Sequence, residues 1–583
     1  MRAVPRRRLR LPPALLLVIV MALPAGAGKA ASPAKAPSPS REPAATPGEA
    51  PLSAAAQGSA NGADPAPPVL LDQEGKKIAA PPPRPQGERL AAPPGSRHHL
   101  FLYLIDGLGA FELPAHGYDR MTMTNVSTLM GEGMTYLAAY SVSPWTVTSV
   151  ASILTSLYPS AHGLQKAGDR LPASAKTLAE VMRENGYQTA LFSAHPLVGA
   201  LSGLDQGFDW IEEIPGPFGP APPRGPGETS ATLNRSILAW LDRRNSPAPV
   251  FVVVLSGDPL EPFGAPAPEG RRFTDDAEYK WYSEVRARLL RIRPGNLGMT
   301  TVADLKALKA DPDRFARAAR NVYDGALYYN DAQLRSLRDA LNSRGYWKKA
   351  LFVVTSTHGE DFGERGLFGH GASLYDSALR VPVVMSYPAI LARADQMRRT
   401  CDTVDLFPTL LSMMGLPVPS GLQGIQRNVE PTVATRKETQ RPAFAETSPA
   451  GALPTGRASM ICEMPTKLIL YEEAPQGYAR PEAEFFRAND PTGWEKRSVY
   501  MAAPILAQKR RDFLEGWRLV KGKPQLVPDA GAPSPDPRLR EVLRSLGYLQ
   551  GLAPDVASGS GKGDPPKAPA GKSPAAAPAK PKN

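Results

Sequence analysis

Continuous apolar runs recur along the middle of the chain, separated by segments that carry a helical apolar stripe. A run without polar alternation is typical of a strand buried on both faces, the usual condition in a parallel sheet. Helical stripes lie between the runs, for example at Leu178–Met182 and Val322–Leu341. This alternation predicts repeated strand–helix units. The predicted strands are Phe101–Ile105, Thr189–Phe192, Val250–Leu255, Ala350–Thr355 and Val381–Met385.

Beyond residue 385 the pattern changes to Pro- and Gly-rich connections between short elements. It predicts a helix over Val404–Met414, a strand at Lys467–Tyr471 and a last helix over Pro537–Leu549. The predicted fold class is therefore α/β, a doubly wound and mostly parallel sheet flanked by helices, with a smaller C-terminal α+β subdomain. We assign residues 96–385 to the first domain and 386–550 to the subdomain.

Both ends of the chain lack this periodicity. Residues 1–27 contain an Arg-rich start, the apolar run Leu15–Leu23 and small residues at 25–27, the order of a secretory signal peptide. Residues 28–95 and 551–583 are rich in Ala and Pro and are predicted to be disordered. We expect an exported protein, periplasmic or extracellular, with no transmembrane domain after signal cleavage. An uncleaved N-terminal anchor is the alternative.

Charge and cysteine content exclude several classes of protein. The net charge is +12, but residues 1–95 and 551–583 together contribute +9 of it. The rest of the chain therefore has no large basic excess, and a nucleic-acid partner is not implied. Two cysteines, Cys401 and Cys462, exclude a disulfide scaffold and a thiolate zinc site. One disulfide and two buried thiols both stay open.

Polar residues lie where the predicted strands end. Asp106 directly follows its strand, and Asp258 and His358 follow theirs within three residues. Parallel strands share one carboxyl edge, where open α/β sheets bind ligands, so these side chains are expected to lie close together. With the hydroxyl of Thr146, such groups can bind a divalent cation and activate the hydroxyl. The alternative is that the acids cap helices and the histidine is structural.

The order of these segments resembles the sulfatase branch of the alkaline phosphatase superfamily over about residues 98–549. The most specific match is Ala151-Ser-Ile-Leu-Thr155 with Tyr158-Pro-Ser-Ala-His-Gly163, which is similar to the family's Ala-Ser-Leu-Leu-Thr-Gly and Tyr-Pro-x-x-His-Gly. The other matching segments are Asp106 after its strand, Asn125–Gly133, Asp258–Phe263, Tyr323–Asp331, Ser356–Gly371, Thr403–Leu411 and Glu541–Tyr548.

The resemblance implies a metal-dependent active site. The cofactor would be a divalent metal (Ca²⁺, Mg²⁺ or Zn²⁺), and the substrate a sulfate or phosphate ester on a small molecule or glycan. Asp258 and His370 would be second-site ligands or proton-transfer partners, and His195 would replace a substrate-binding group or serve only as a core or surface polar residue. The implied metal ligands are Asp106, His358 and Asp258, and the implied catalytic residues are Thr146, His370 and His195.

Several positions depart from the family pattern. Thr146 occupies the nucleophile position, where sulfatases need Cys or Ser for oxidation to formylglycine, and threonine cannot become that aldehyde. Threonine is a nucleophile in phosphoryl-transferring branches, so covalent catalysis stays open. Thr357, Leu260 and Val150 replace an Asp, a His and an Arg of the family. Because Mg²⁺ and Ca²⁺ need several oxygen ligands, metal binding is expected to be weak or absent.

Two functions follow from these observations. The first is a secreted sulfatase-like hydrolase or transferase of sulfate or phosphate esters, with Thr146 in the nucleophile position. The second is a catalytically inactive pseudo-sulfatase that acts as a binding or scaffold module in the envelope. Convergence of the site residues would favour the enzyme, whereas a site filled by apolar side chains would favour the module.

Overall fold

The structure is a computed structural model that describes residues 98–214 except 167, then 228–292, 300–391, 395–427, 441–447, 456–473, 481–487, 495 and 498–526. The strands in these ranges are β1 (His99–Ile105), β2 (Met134–Tyr140), β3 (Gln188–Ser193), β4 (Trp210–Glu213), β5 (Val250–Ser256), β6 (Thr300–Thr301), β7 (Ala350–Ser356), β8 (Asp361–Phe362), β9 (Leu367–Gly369), β10 (Val383–Ser386), β11 (Asp395–Asp402), β12 (Ala443–Thr447), β13 (Arg457–Glu463), β14 (Thr466–Glu473) and β15 (Ala483–Arg487). The α-helices are α1 (Thr124–Glu132), α2 (Thr146–Thr155), α3 (Pro159–His162), α4 (Leu178–Glu184), α5 (Thr229–Arg243), α6 (Asp276–Ile292), α7 (Val302–Ala307), α8 (Pro312–Ser343), α9 (Asp376–Leu379), α10 (Leu406–Met413) and α11 (Pro504–Val520).

An eight-stranded sheet forms the centre of the fold, in the order β11-β2-β10-β7-β1-β5-β3-β4. Neighbouring strands are parallel, apart from β10, which is antiparallel to both β2 and β7. The predicted mostly parallel sheet is therefore confirmed. β10 corresponds to the predicted strand at Val381–Met385, whose direction the sequence pattern did not give.

Strand β1 contributes side chains to a separate core on each face of the sheet. All six residues Leu100–Ile105 are fully buried, and they alternate between the two cores. A strand buried on both faces has no solvent side, which explains its continuous apolar sequence. Helices cover both faces, as a doubly wound fold requires. Leu100, Leu102 and Leu104 pack in one core, and Phe101, Tyr103 and Ile105 in the other.

The longest helix, α8, begins at Pro312, ten residues before the predicted start at Val322. Asp311 precedes it, and its side chain accepts a hydrogen bond from the backbone N–H of Asp313. Asp followed by Pro is a helix-start signal, because the acid caps free N–H groups and proline suits the first helical position. The apolar stripe alone predicted only the part of α8 from Val322 to Leu341, which contains most of its buried residues.

Strands β12–β15 form a second, antiparallel sheet, which with α11 makes the smaller α+β subdomain. Helix α11 packs on this sheet through Ala507, Leu514 and Trp517, and the Trp517 ring stacks on Phe444 at a centroid distance of 4.3 Å. Helix α11 was not predicted from the sequence pattern. The predicted last helix, Pro537–Leu549, lies outside the described residues, as do the signal segment, the linker and the tail.

The central sheet continues past residue 385, where the sequence analysis placed the domain border. β11 pairs with β2, and α10 packs in the same core as β2. Cys401 and Cys462 are both free and buried, so the two-thiol alternative holds. Among the described residues, no helix is both long and apolar enough to cross a membrane.

A buried ion-pair cluster connects the antiparallel sheet to helix α9, which begins at Asp376. The ammonium of Lys467, on β14, lies 2.6 Å from Asp376 Oδ1 and 3.0 Å from Glu495 Oε1. All three side chains are almost completely buried. The two carboxylates offset the cost of burying the ammonium, and they raise the pKa of Lys467 despite its burial.

Candidate active site

Asp106 directly follows β1 at the carboxyl edge of the sheet. Its backbone N–H donates to Ser256 O at 2.9 Å, and Gly107, at φ +84°, turns the chain away from the strand. The side chain is completely buried, and burial raises its pKa to about 6 although hydrogen bonds from Thr357 and Thr146 oppose the shift. Its second oxygen, Oδ2, has no hydrogen-bond partner among the described residues. Asp106 therefore has one carboxylate oxygen for a further ligand.

Thr146 is the first residue of α2 and is almost completely buried. Its hydroxyl oxygen Oγ1 lies 3.0 Å from Asp106 Oδ1 and 3.1 Å from His358 Nε2. The N-terminus of a helix leaves backbone N–H groups without intrahelical partners and carries a partial positive charge. The hydroxyl thus lies between an acid and an imidazole, at a helix end that favours anions.

His358 follows β7 and presents a proton-free nitrogen to Thr146. Its Nδ1 lies 2.9 Å from the carbonyl oxygen of Gly359, which can only accept, so Nδ1 carries the proton and Nε2 has the lone pair. Burial, together with the charge of His370, lowers the pKa of His358 well below its usual value. The ring is therefore neutral, and its Nε2 lies 3.4 Å from Asp106 Oδ1.

His370 and Glu360 form an ion pair behind His358. His370 Nδ1 lies 2.8 Å from Glu360 Oε1, and the His370 ring stacks on His358 with centroids 4.3 Å apart. Burial works against a charge on His370, but Glu360 outweighs it and raises the pKa of His370 to about 9. His370 is the more accessible of the two, with 13% of its side chain exposed.

His195 lies just after β3 and is buried. Its Nδ1 accepts a hydrogen bond from the backbone N–H of Leu197 at 3.2 Å. Burial lowers the pKa of His195 to about 3, and the charge of His370 adds to the shift. His195 is therefore a neutral imidazole within electrostatic reach of the pair, on the same edge of the sheet.

Asp258 does not contact this cluster. Its Oδ1 accepts hydrogen bonds from the backbone N–H of Thr229 at 2.8 Å and from the Thr229 hydroxyl at 2.6 Å. Its Oδ2 accepts from Asn330 Nδ2 at 2.9 Å. Both oxygens are thus engaged, and the carboxylate caps the N-terminus of α5, as the alternative interpretation of strand-end acids anticipates. We therefore leave Asp258 out of the proposed site.

Two residues of the cluster were not among the candidates from sequence. Glu360 stands two residues after His358 in the matched segment, but only the fold shows that it pairs with His370. Thr357 was treated as a lost metal ligand, whereas its hydroxyl donates to Asp106 Oδ1. The only sequence signal for Glu360 and Thr357 is their place in the matched Ser356–Gly371 segment. The local pattern does not show that Glu360 pairs with His370 or that Thr357 donates to Asp106.

The cluster can accommodate a divalent cation. His358, Glu360 and His370 each offer a ligand atom, and these atoms all lie within 4.8 Å of one another. Asp106 Oδ2 and Glu360 Oε2 are buried oxygens without a hydrogen-bond partner among the described residues. Buried carboxylate oxygens are normally hydrogen-bonded or bound to metal. Imidazole together with carboxylate is a donor set that suits Zn²⁺ better than Ca²⁺ or Mg²⁺.

A narrow cleft beside the cluster has room for about one water molecule. Its lining includes Trp145, next to Thr146 in the chain, and Gly371, next to His370. Polar residues of the lining include Thr148, Gln165, Glu446 and Thr447.

Comparison with known proteins agrees with the fold. A sequence model of the Sulfatase family matches residues 98–416, more than half of the chain. The chain belongs to the sulfatase family. The matched region holds every residue of the cluster described above.

Curated relatives are distant. The chain is 24% identical over 377 residues to arylsulfatase K of Rattus norvegicus, covering 60% of this chain and 64% of that protein. It is 22% identical over 375 residues to the Δ4,5-hexuronate-2-O-sulfatase of Bacteroides thetaiotaomicron, covering 60% and 74%. The alignment thus spans less than two thirds of arylsulfatase K.

Solved structures share the fold. The phosphonate monoester hydrolase of Agrobacterium radiobacter superposes with a TM-score of 0.57 at 20% identity, covering 73% of this chain and 96% of that one. A protein solved in complex with its substrate D-glucosamine-2-N,6-O-disulfate superposes with a TM-score of 0.56 at 16% identity, covering 73% of this chain and 98% of that one. At these identities the likeness establishes the architecture alone.

Proposed function

We propose that this chain is an exported hydrolase or transferase of sulfate or phosphate esters that uses Thr146 as its nucleophile. The observation that carries the proposal is the position of the Thr146 hydroxyl, 3.0 Å from Asp106 Oδ1 and 3.1 Å from His358 Nε2 at the start of α2. A buried hydroxyl in contact with a carboxylate and a neutral imidazole is an arrangement for nucleophilic catalysis. The relatives above are named for sulfate esters, which supports the same substrate class here.

The reaction proceeds in two displacements. Thr146 Oγ1 forms a bond to the sulfur or phosphorus atom while the bond to the leaving alcohol breaks, and the Thr146 proton passes to Asp106 or His358. His370 is the proton-transfer partner of the leaving oxygen, and Glu360 orients its ring. Water then cleaves the covalent intermediate in the same way, so each step inverts the central atom. Formylglycine chemistry has no place here, because threonine cannot form that aldehyde.

A divalent cation held by Asp106 and His358, with Glu360 and His370 beside them, would neutralise the ester oxygens and lower the pKa of the Thr146 hydroxyl. His195 has a different role in the proposal. It is neutral and lies within electrostatic reach of His370, which supports a role as a substrate-binding group that adds no charge to the site.

The test compares Thr146→Ser, Thr146→Val and Thr155→Val with the wild type on aryl sulfates and aryl phosphates. Thr155 is a matched control, since it lies on the same helix, is buried, and donates to Ala151 O rather than to the cluster. We expect Thr146→Val to abolish turnover, and Thr146→Ser and Thr155→Val to retain it. Mass spectrometry of acid-quenched enzyme should detect sulfo- or phospho-Thr146. Equal turnover by the wild type and Thr146→Val would overturn the proposal.

A second candidate is the catalytically inactive binding module. It is favoured by the hydrogen bond from Thr357 to Asp106, which occupies a carboxylate oxygen, and by the near-complete burial of Thr146 and His358. This candidate predicts no turnover of any ester, unchanged by chelator, together with binding of a sulfated glycan that Thr146→Val leaves intact. Turnover that depends on Thr146 would exclude it.

A further inference from the structure

The backbone carbonyl of Thr357 is held by two serine side chains. Ser149 Oγ donates to Thr357 O at 2.6 Å, and Ser141 Oγ lies 2.5 Å from the same oxygen. All three residues are completely buried. Within the described residues no backbone N–H donates to this oxygen, so the two hydroxyls satisfy it. Because a buried carbonyl without a partner is unfavourable, the two serines fix the peptide group between Thr357 and His358.

The hydrogen bond of Ser149 joins the helix that carries Thr146 to the loop that carries His358. Ser149 lies three residues after Thr146 on α2, so the two side chains project from neighbouring positions on one face of the helix. The Thr146 hydroxyl lies 3.1 Å from His358 Nε2, and the Ser149 hydroxyl contacts the carbonyl of the preceding residue, Thr357. Two contacts about one helical turn apart define both the distance and the rotation of α2 relative to this loop.

A third serine connects the same loop to the chain around Asp106. Ser356 Oγ lies 2.6 Å from Ile105 O and 2.7 Å from His358 O, and it accepts a hydrogen bond from the backbone N–H of Leu108 at 3.0 Å. This hydroxyl therefore contacts the chain on both sides of Asp106 as well as the backbone of His358. The acid and the imidazole are thus positioned relative to each other without α2, and the nucleophile reaches them through the position of α2.

We propose that Ser149 is a positioning residue that holds Thr146 in contact with Asp106 and His358. The inference rests on the proposed function and adds to it the group that sets the geometry of the nucleophile. The Ser149 hydroxyl acts through the Thr357 carbonyl, since its hydrogen-bond partners are Thr357 O and Ser141 Oγ. Positioning matters because a displacement of about 1 Å between reacting groups can lower a rate by about a hundredfold.

Two serine-to-alanine variants separate positioning from stability. Ser149→Ala removes the hydrogen bond to Thr357 O, and Ser152→Ala is the matched control. Ser152 lies on the same helix and is completely buried, and its hydroxyl contacts His162 Nε2 at 3.0 Å instead. Both variants should lower the thermal midpoint, because each leaves a buried polar group with one partner fewer.

Steady-state kinetics on an aryl ester that the wild type hydrolyses gives the first readout. Ser149→Ala should lower kcat by about tenfold or more and leave KM within about twofold, because the geometry of the nucleophile matters in the transition state more than in binding. Ser152→Ala should keep the wild-type kcat. A purely structural hydroxyl would lower the thermal midpoint in both variants and kcat in neither. A wild-type kcat in Ser149→Ala, or an equal loss of kcat in the two variants, would overturn the proposal.

Nitrogen-15 NMR of the histidine side chains gives a second readout that needs no turnover. The Nε2 resonance that moves in Thr146→Val identifies His358, whose Nε2 faces the Thr146 hydroxyl. The same resonance should move in Ser149→Ala and stay in place in Ser152→Ala. An unmoved resonance in Ser149→Ala would overturn the proposal. If the wild type hydrolyses no ester and the resonance still moves, the proposed function fails, whereas the positioning of Thr146 by Ser149 is supported.

Discussion

Restoring the family's carboxylate at position 357 should destabilise the metal-free protein in a pH-dependent way. In the wild type the Thr357 hydroxyl donates to Asp106 Oδ1, and both residues are completely buried. Thr357→Asp places a second carboxylate against Asp106 in the same buried space. Two ionised carboxylates in contact are unfavourable, so the pair takes up a proton. The introduced carboxyl group, once protonated, donates to Asp106 much as the hydroxyl did.

The loss in free energy of unfolding cannot exceed the free energy needed to keep the introduced carboxyl group protonated. A carboxyl with an unfolded-state pKa of about 3.9 costs about 1.36 kcal/mol per pH unit to keep protonated, hence about 5 kcal/mol at pH 7.5 and about 1.5 kcal/mol at pH 5. A raised folded-state pKa means that stability is lost as pH rises, so the variant should be weakest at high pH. Metal reverses the penalty, because both carboxylates then become ligands, and a cation at a hundred times its Kd adds about 2.7 kcal/mol.

Urea denaturation at pH 5 and pH 7.5 measures these free energies, first in EDTA and then with Ca²⁺, Mg²⁺ or Zn²⁺. Thr357→Asn is the matched control, since it keeps the shape of the aspartate side chain and a donor for Asp106 but adds no charge. Elemental analysis of the same purified proteins gives their metal content, with Asp106→Ala as the control that lacks a ligand. The reasoning is refuted if Thr357→Asp and Thr357→Asn are equally stable in EDTA at pH 7.5.

Three further predictions concern stability away from the site. Lys467→Met should cost about 3–5 kcal/mol in urea denaturation at pH 7.5, because two buried carboxylates lose their cation. Burial lowers the pKa of His162 to about 3, so below pH 6.5 the wild type should lose about 1.4 kcal/mol per pH unit relative to His162→Asn. Gly133→Ala should cost about 3 kcal/mol, since its Cβ would lie 2.0 Å from Met385 O, whereas Gly516→Ala should stabilise α11 by about 0.5–1 kcal/mol.

Each of these has an outcome that contradicts it. A Lys467→Met protein as stable as the wild type would mean that the carboxylates protonate without cost. Parallel pH curves for His162→Asn and the wild type between pH 5 and 6.5 would mean that the imidazole titrates normally. Equal thermal midpoints for the two Gly→Ala variants would mean that the close backbone approach at Gly133 relaxes freely.

The sequence determined the class of fold because its strongest signals are local. Strand β1 is buried on both faces, so every residue of Leu100–Ile105 is apolar, and such a run has one interpretation. The carboxyl edge of a parallel sheet then places Asp106 and His358 together, and the matched segments add Thr146 and His370. Asp106 and His358 meet in the structure because β1 and β7 are parallel neighbours, so the two residues that follow these strands lie at the same edge of the sheet.

Only the tertiary structure decided which side chains pair with one another when the partners are far apart in the chain or when a residue has more than one possible role. Asp258 and Asp106 both follow buried strands, and local sequence does not distinguish a cap from a free carboxylate. Asp258 caps the N-terminus of α5, which begins at Thr229, 29 residues earlier in the chain. The ion pair of Glu360 with His370, and the hydrogen bond from Thr357 to Asp106, depend on how segments pack around the sheet edge. A side chain's role is set by its partners, and packing, which the local pattern does not encode, selects those partners.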